Sequence, residues 1–379
     1  MKLVLFYHSL LSDWNHGNAH FLRGIVQELK VRGHDVQVYE PEKGWSLQNL
    51  ISEYGEEKLN ELQRYYPGLK TNFYNLDTLD LDLVLKDADL ILVHEWNDHE
   101  LVRRVGEHRQ KSKYKLIFHD THHRAVTEKA SMAAYDLRHY DGVLAFGEVI
   151  KNIYLQEGWT QKAWTWHEAA DDSVFYPRTP TTYDGDLVWI GNWGDEERTT
   201  ELHEFLINPV KELGLKAKIY GVRYPEHALK ALAEANIEYG GWLPNYKAPE
   251  VFAKYKVTVH VPRRPYVEAL PGIPTIRPFE ALSTGIPLIS APWEDAEHLF
   301  TPGKDFLVAC NGEEMKQHLQ TVLHNPQVAG ELRSNGIKVI NAKHTCAHRI
   351  NELEVICAEL GISPEKIYTD FNDRIIHAK

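Results

Sequence analysis

The sequence predicts an α/β protein built from two doubly wound halves. Three observations lead there. Short apolar, strand-like runs alternate with helix-patterned segments almost end to end. The alternation breaks once, at a polar, Pro-punctuated stretch, and then restarts. At 379 residues the chain exceeds a usual single core, and an apolar fraction of 43% with 10 Trp and 19 Tyr is enough to fill two. The expected organisation is a first domain over residues 1–170, a linker over 171–182 and a second domain over 183–354. A C-terminal helix over about 355–379 is expected to return to the first domain.

In the first half, Leu3–Tyr7 reads as a strand, and His16-Gly17-Asn18 leads into a helix over Ala19–Arg32. Gly33-His34 ends that helix before a second strand, Asp35–Tyr39. This is a βαβ unit, so the sheet is parallel. Trp45–Tyr66 reads as mostly helical, while Leu76–Val84 repeats Leu and Asp without a clear period. Strands follow at Leu90–His94, Lys115–His119, Gly142–Phe146 and Ala163–Trp166. Helices are expected near Asn97–Gln110, through Tyr140, and at Glu148–Glu157. Asp171–Thr182 supplies the linker.

The second half restarts with strand Asp186–Ile190, Gly191 and a helix over Glu196–Leu213. Strands Ala217–Tyr220, Ile237–Tyr239, Val257–Val261 and Phe306–Ala309 follow, with helices Pro225–Ala235 and Ala248–Tyr255 between them. Three closing helices lie near Glu313–His324, Gln327–Ala342 and Cys346–Leu360. Within this half, Phe279-Glu280-Ala281-Leu282 reads as one short helical turn, stopped by Thr284-Gly285 and followed by the β-leaning run Ile286–Ser290. That reading places Glu280 at a helix start. An ionised carboxylate offers two acceptor oxygens to vicinal hydroxyls, and a helix start offers free N–H groups and positive dipole to phosphate. One element would then hold both ribose and diphosphate; the alternative is a capped helix between two core strands. In doubly wound sheets ligands bind at the carboxyl ends of the strands, so a central cleft faced by both halves is the expected site.

Composition excludes several classes. A mean hydropathy of -0.43 and the lack of an apolar run near about eighteen residues argue against a membrane span. The amino terminus, MKLVLFYHSLL, reads as a buried first strand, not a signal peptide. Cys310, Cys346 and Cys357 form no paired framework or metal spacing, which suits a reduced, cytoplasmic protein. A net charge of -12 argues against a nucleic-acid partner. Oligomeric state is not legible.

Several blocks, in order, resemble a known family: HGNAHFLRGIVQELKVRGHDV (His16–Val36), IFHDTHH (Ile117–His123), DDSVFYP (Asp171–Pro177), WIGNWGDEERT (Trp189–Thr199), YGVRYP (Tyr220–Pro225) and RPFEALSTGIPLISAPWEDAEHLFTPGKDFLVA (Arg277–Ala309). The chain resembles glycosyltransferases of the GT-B fold, two Rossmann-like domains facing a cleft, and particularly the family 4 and CgeB-like group 1 proteins. The resemblance implies a retaining, metal-independent hexosyl- or other glycosyltransferase. It would take a nucleotide-sugar donor, transfer to a glycan or small-molecule hydroxyl, need no cofactor, and close its halves on the donor. Many family 4 members carry two glutamates separated by seven residues. Glu280 matches the second, but the first falls at Gly272, and the nearest upstream acid is Glu268.

The resemblance assigns Glu280 to the ribose, with Phe279 beside it. Arg277, Arg263, Arg264 and Arg223 are candidate diphosphate ligands, because a guanidinium donates two parallel charge-assisted bonds; surface ion pairs are the alternative. Gly191, Asn192 and Trp193 form the first loop of the donor half, although the acids after them equally suit an N-cap. Trp242 and Leu243 resemble the loop packing on the base, or a core. His119 and Asp120 are the candidate catalytic pair, with His119 touching the sugar and Asp120 orienting it. A metal held by His119, His122 and His123 is the rival; with no Cys beside them, no metal is expected. His94, Glu95 and His122 are candidate acceptor contacts. His16, Gly17 and Asn18 form a diphosphate or acceptor loop, or an ordinary helix start. A nucleotide-sugar epimerase of the same fold and a degenerate glycan- or nucleotide-binding protein remain as alternatives.

Overall fold

The computed structural model describes residues 1–179 and 182–367. Residues 180 and 181 of the expected linker and residues 368–379 of the expected terminal helix lie outside the described residues. The chain forms two compact units. Among the described residues, the first comprises Met1–Ser12, Phe21–His167 and Cys346–Ile367; the second comprises Asp13–His20 and Glu168–Thr345.

The first unit is built on seven parallel strands: β1 (Lys2–Phe6), β2 (Asp35–Pro41), β3 (Asn72–Tyr74), β4 (Leu90–His94), β5 (Lys115–Asp120), β6 (Gly142–Ala145) and β7 (Ala163–Thr165). Their order is β3-β2-β1-β4-β5-β6-β7. Central strands buried on both faces read as unbroken apolar runs, and β4, LILVH, is buried at every position. The order reverses between β1 and β4, whose register pairs Phe6 with Val93. β4 in turn pairs His94 with His119 of β5. The carboxyl ends of β1, β4 and β5 therefore bring His8, Glu95-Trp96 and Thr121–His123 together. Strand β3 was not expected. It is a three-residue edge strand with Asn72 and Phe73 exposed, too short to show an alternation.

The second unit has six parallel strands: β8 (Gly185–Ile190), β9 (Ala217–Tyr220), β10 (Glu238–Tyr239), β11 (Tyr255–His260), β12 (Leu288–Ser290) and β13 (Leu307–Val308). Their order is β10-β9-β8-β11-β12-β13. Its core joins Leu187, Trp189, Trp193, Val257, Val259, Ile289, Met315 and Leu319. The reversal falls between β8 and β11, which places Gly191–Gly194 beside Val261–Arg263. The helix expected to begin at Glu196 begins at Thr199, because Asp195 and Glu196 sit at φ 50° and 68° in a left-handed turn. It widens into a π-helical turn, His203–Ile207, just before Pro209, whose ring cannot continue a regular α-helix.

Candidate functional site

Glu280 is not at a helix start. Its helix runs Ile276–Thr284, and Gly285 ends it in the left-handed conformation, φ 73°. The N-cap, Thr275, has φ 61° and ψ 173°. A β-branched residue in that region is strained and persists only where its surroundings hold it. Here His260, the last residue of β11, does the holding. Its Nε2 is 3.2 Å from Thr275 Oγ1, and its Nδ1 is 2.9 Å from Ser290 Oγ. The Ser290 hydroxyl donates to the Ala291 carbonyl at 2.7 Å, so it accepts from His260 Nδ1–H, and Nε2 accepts from Thr275. Burial, then the nearby Arg198 and Arg277, push the His260 pKa down to about 3. The imidazole is a neutral, fixed-tautomer brace.

Glu280 lies one turn into the helix and is fully buried. Arg277, three residues earlier, donates from Nη1 to Glu280 Oε2. His20 brings Nδ1 to 2.9 Å from Oε1, with its ring 4.4 Å from that of Phe175. Glu168 is buried close by; burial, then the Glu280 charge, raise its pKa well above the ordinary carboxylate range. Glu280 is thus the member of a buried carboxyl pair that faces the Arg277 guanidinium and the His20 ring.

Arg198 carries a signal that the sequence reading missed, because it ends the acidic turn Asp195-Glu196-Glu197. Its guanidinium donates to the Val261 carbonyl at 2.7 Å, to the Asn192 carbonyl at 2.5 Å, and lies 5.0 Å from the Trp189 ring centroid. Burial, then repulsion from Arg263 and Arg277, lower its pKa to about 9. The Arg198 and Arg263 Nε atoms flank Gly194, at 3.2 and 3.4 Å from the Cβ it lacks. Three arginines therefore crowd one end of the unit beside the strained helix start. The others are tied elsewhere: Arg264 to Glu201 at 3.1 Å and the Glu196 carbonyl at 2.7 Å, Arg223 to Asp195 at 2.8 Å. Arg263 itself is held by Glu197 at 3.2 Å.

A cavity of about 60 Å³ opens beside this cluster, lined by His16, Gly17, Gly191, Asn192, Trp242, Leu243 and Arg277 among others. The structure thus brings these predicted residues together. Asn192 bridges two elements, accepting from Val222 N–H at 2.9 Å and donating to Asn15 at 2.6 Å. Asp13 accepts from Trp242 Nε1 at 3.1 Å and from Asn245 N–H at 3.2 Å. Asp13, Asn15 and Asn245 escaped the sequence reading. Half-buried Asn18 follows Gly17 in the same segment, outside the cavity lining.

Two predicted ligand contacts are corrected to core. Trp193 is 1% exposed, with Nε1 donating to Thr199 at 3.0 Å and its ring against His203, Tyr224 and His227. Phe279 is buried against Phe300 and His344, both at 5.5 Å. At Gly272, where the resemblance places a glutamate, φ is 92°, and Glu297 Cγ stands 2.7 Å from the missing Cβ.

In the first unit, the expected pairing of His119 with Asp120 is not what the structure has. His119 is fully buried, its ring against Trp166 at 4.9 Å, His94 at 5.3 Å and Phe21 at 6.3 Å, and neither nitrogen has a hydrogen-bond partner among the described residues. Burial lowers its pKa to about 3. Successive strand residues face opposite ways, so Asp120 points to the other face. It accepts from Tyr154 Oη at 2.8 Å and from His122 N–H at 3.0 Å, and burial raises its pKa to about 6. His94 meets Thr121 Oγ1 at 2.9 Å. Glu95 forms a buried ion pair with Arg124 at 3.1 Å. His122 is half-buried, with its ring 5.0 Å from Trp96 and 4.0 Å from His123. His119 therefore lies on a different stack from His122 and His123. Among the described residues, no group of three or more His, Cys, Asp or Glu is arranged to hold a metal ion.

Residues 198–355 match a sequence model of the family described as Glycosyl transferase-like. No protein of curated function matches the chain. Solved structures share its fold over nearly its whole length. HepE of Anabaena, solved with UDP and glucose, matches with a TM-score of 0.66 at 12% identity, covering 95% of this chain and 100% of that one. The phage T4 glucosyltransferase BGT, solved with UDP and Mn²⁺, matches at 0.60 and 13%, covering 96% and 100%. The sucrose-phosphate synthase of Thermosynechococcus elongatus matches at 0.60 and 14%, covering 95% and 99%. The shared architecture is two Rossmann-like α/β units of the GT-B type. Among the described residues no helix is long and apolar enough to cross a membrane.

Proposed function

We propose that the chain is a glycosyltransferase that moves a sugar from a nucleoside-diphosphate sugar to an acceptor hydroxyl. The observation that carries this reading is the convergence of Arg198, Arg263 and Arg277 on the start of the helix that holds Glu280. Like charges brought together in a partly desolvated corner are stabilised by a polyanion. The carboxylate one turn away suits the vicinal hydroxyls of a ribose. In this reading the ribose replaces Arg277 at Glu280, and the released guanidinium joins Arg263 on the diphosphate. Arg198, bound by backbone carbonyls, fixes the field in which they act. Trp242 and Leu243 border the base.

Chemically, the bond from the anomeric carbon to the diphosphate oxygen breaks, and its electron pair leaves with the diphosphate. The acceptor oxygen forms the new bond, and its proton passes to the departing diphosphate. The arginines are aimed at the charge that develops on the leaving group, which supports transfer without a divalent metal. Retention of anomeric configuration is proposed on the family resemblance. The carboxyl of Glu297, standing where residue 272 lacks a side chain, is the proposed replacement for the first glutamate.

Thermal-shift and calorimetric titration with UDP, GDP, dTDP, ADP and CMP tests the reading, with and without EDTA, on the wild type and Glu280→Ala. UDP comes first because HepE was solved with it. Selective stabilisation by one nucleoside diphosphate, indifferent to EDTA and lost in the variant, is expected. No stabilisation by any of the five overturns the proposal.

A further inference from the structure

Strands β2, β1, β4 and β5 are neighbours in the first sheet, and the residues just past their carboxyl ends carry a row of rings. Trp45 follows β2, His8 follows β1, Trp96 follows β4 and His122 follows β5. The His8 and Trp96 rings lie 6.1 Å apart, and those of Trp96 and His122 5.0 Å. The chain just before Trp45 runs beside His8: a Cβ at Gly44 would lie 3.3 Å from the His8 carbonyl. Trp96 is 42% exposed and Trp45 54%. Large aromatic surface left open at strand ends marks a binding surface more often than chance exposure does.

What sits under Trp96 narrows the ligand. The Arg124 guanidinium lies 4.4 Å from the indole centroid and is itself buried. It faces two carboxyl groups, Glu95 at 3.1 Å and Glu128 at 3.5 Å. One indole face is therefore fixed in place by a cation whose charge is already neutralised below the surface. Burial pushes the His8 pKa down to about 3, so that ring is neutral. The surface is thus aromatic and rimmed with the imidazoles of His8 and His122.

From this arrangement we infer that Trp96 is the floor of an acceptor subsite for an uncharged sugar ring. The C–H face of a pyranose is apolar and weakly positive, and it matches the electron-rich face of an indole. Hydroxyls around the ring edge meet the imidazoles of His8 and His122, which can donate or accept. A nucleic acid also offers flat faces, but its phosphates require lysines and arginines free to pair. Arg124 is engaged, and the chain carries a net charge of -12. That the sugar is an acceptor rests on the glycosyltransferase reading; that a sugar binds here does not.

Saturation-transfer NMR on the full chain tests this with four probes at millimolar concentration: methyl α-glucoside, methyl β-galactoside, methyl α-mannoside and methyl N-acetyl-β-glucosaminide. Saturation is expected on the protons of one ring face of at least one probe. Trp96→Ala should weaken that binding by about tenfold or more, and Trp96→Phe, which keeps a ring, by less. The UDP thermal shift of both variants should equal that of the wild type, which also reports that they fold. Transfer to none of the probes, or transfer unchanged in Trp96→Ala, overturns the inference, as does contact with a short DNA oligonucleotide in place of the glycosides. UDP binding without glycoside contact removes this inference alone. Glycoside contact without any nucleotide binding removes the transferase reading and leaves the sugar site.

Discussion

The carboxyl group of Glu297 stands where a side chain at residue 272 would begin: its Oε1 is 2.7 Å from the Cβ that Gly272 lacks. Gly272, at φ 92°, has a backbone that side chains rarely adopt. A carboxyl group from elsewhere in the chain thus occupies the space beside residue 272. If it serves the transferred sugar, Glu297→Gln should lower kcat by about 10- to 100-fold and leave UDP affinity unchanged. Steady-state kinetics with the preferred donor, beside UDP calorimetry, would check this. A fall in UDP affinity equal to the fall in turnover would assign Glu297 to the nucleotide instead.

Glu280 is expected to behave differently. Glu280→Gln keeps the shape of the side chain and removes the charge that holds Arg277, so UDP binding should weaken by about tenfold or more. Calorimetry at two salt concentrations would show the change. Unaltered affinity would mean that the ribose is held elsewhere.

Trp193 and Trp242 should separate stability from binding. Trp193→Ala opens a cavity in the second core and should destabilise the chain by about 3–5 kcal/mol. Trp242→Ala, at the rim of the cavity, should leave the unfolding midpoint nearly in place and weaken nucleotide binding by about 1–3 kcal/mol, the range for stacking on a base. Urea unfolding and UDP titration of both variants provide the comparison.

The first unit should lose stability as pH rises through neutrality. Glu40 is buried, and burial raises its pKa from the ordinary 4.5 to about 7, against backbone N–H groups of Leu10 and Leu11 and the charge of Arg23. The folded state therefore binds this proton more tightly than the unfolded chain does. The resulting stabilisation is complete below about pH 4.5 and is lost as pH rises through about 7. Glu40→Gln cannot release a proton, so relative to wild type it should gain roughly 3 kcal/mol between pH 5 and pH 8. Urea unfolding at the two pH values measures it, and an equal difference at both would refute the assignment.

The alternation of strands and helices was legible because buried parallel strands are continuous apolar runs, as in β4. What escaped had physical reasons. Strand β3 is three residues long with two of them exposed, too short to show a period. The Glu280 helix read as starting late because a residue before proline is usually pushed out of the α region. Arg277-Pro278 falls instead in the first turn, where proline is tolerated. Phe279 and Glu280 are successive helix residues and point about 100° apart, so both were not going to face one ligand. Of the arginines, Arg263 and Arg277 were legible from strand-end position and spacing. Arg198 was hidden by the acids before it, and only its burial reveals it.

The segment Asp13–His20 has a consequence for synthesis. Trp242 and Asn245 bond to Asp13 across separations of 229 and 232 residues, and Asn245 also donates to the Gly17 carbonyl. Synthesis must add 229 residues after Asp13 before Trp242 exists, and 232 before Asn245 does. A fragment spanning only Glu168–Thr345 would leave the Trp242 indole N–H and the Asn245 amide without their acceptor. An excised second unit would need the early segment restored, by fusion or as a separate peptide, before its cavity closed.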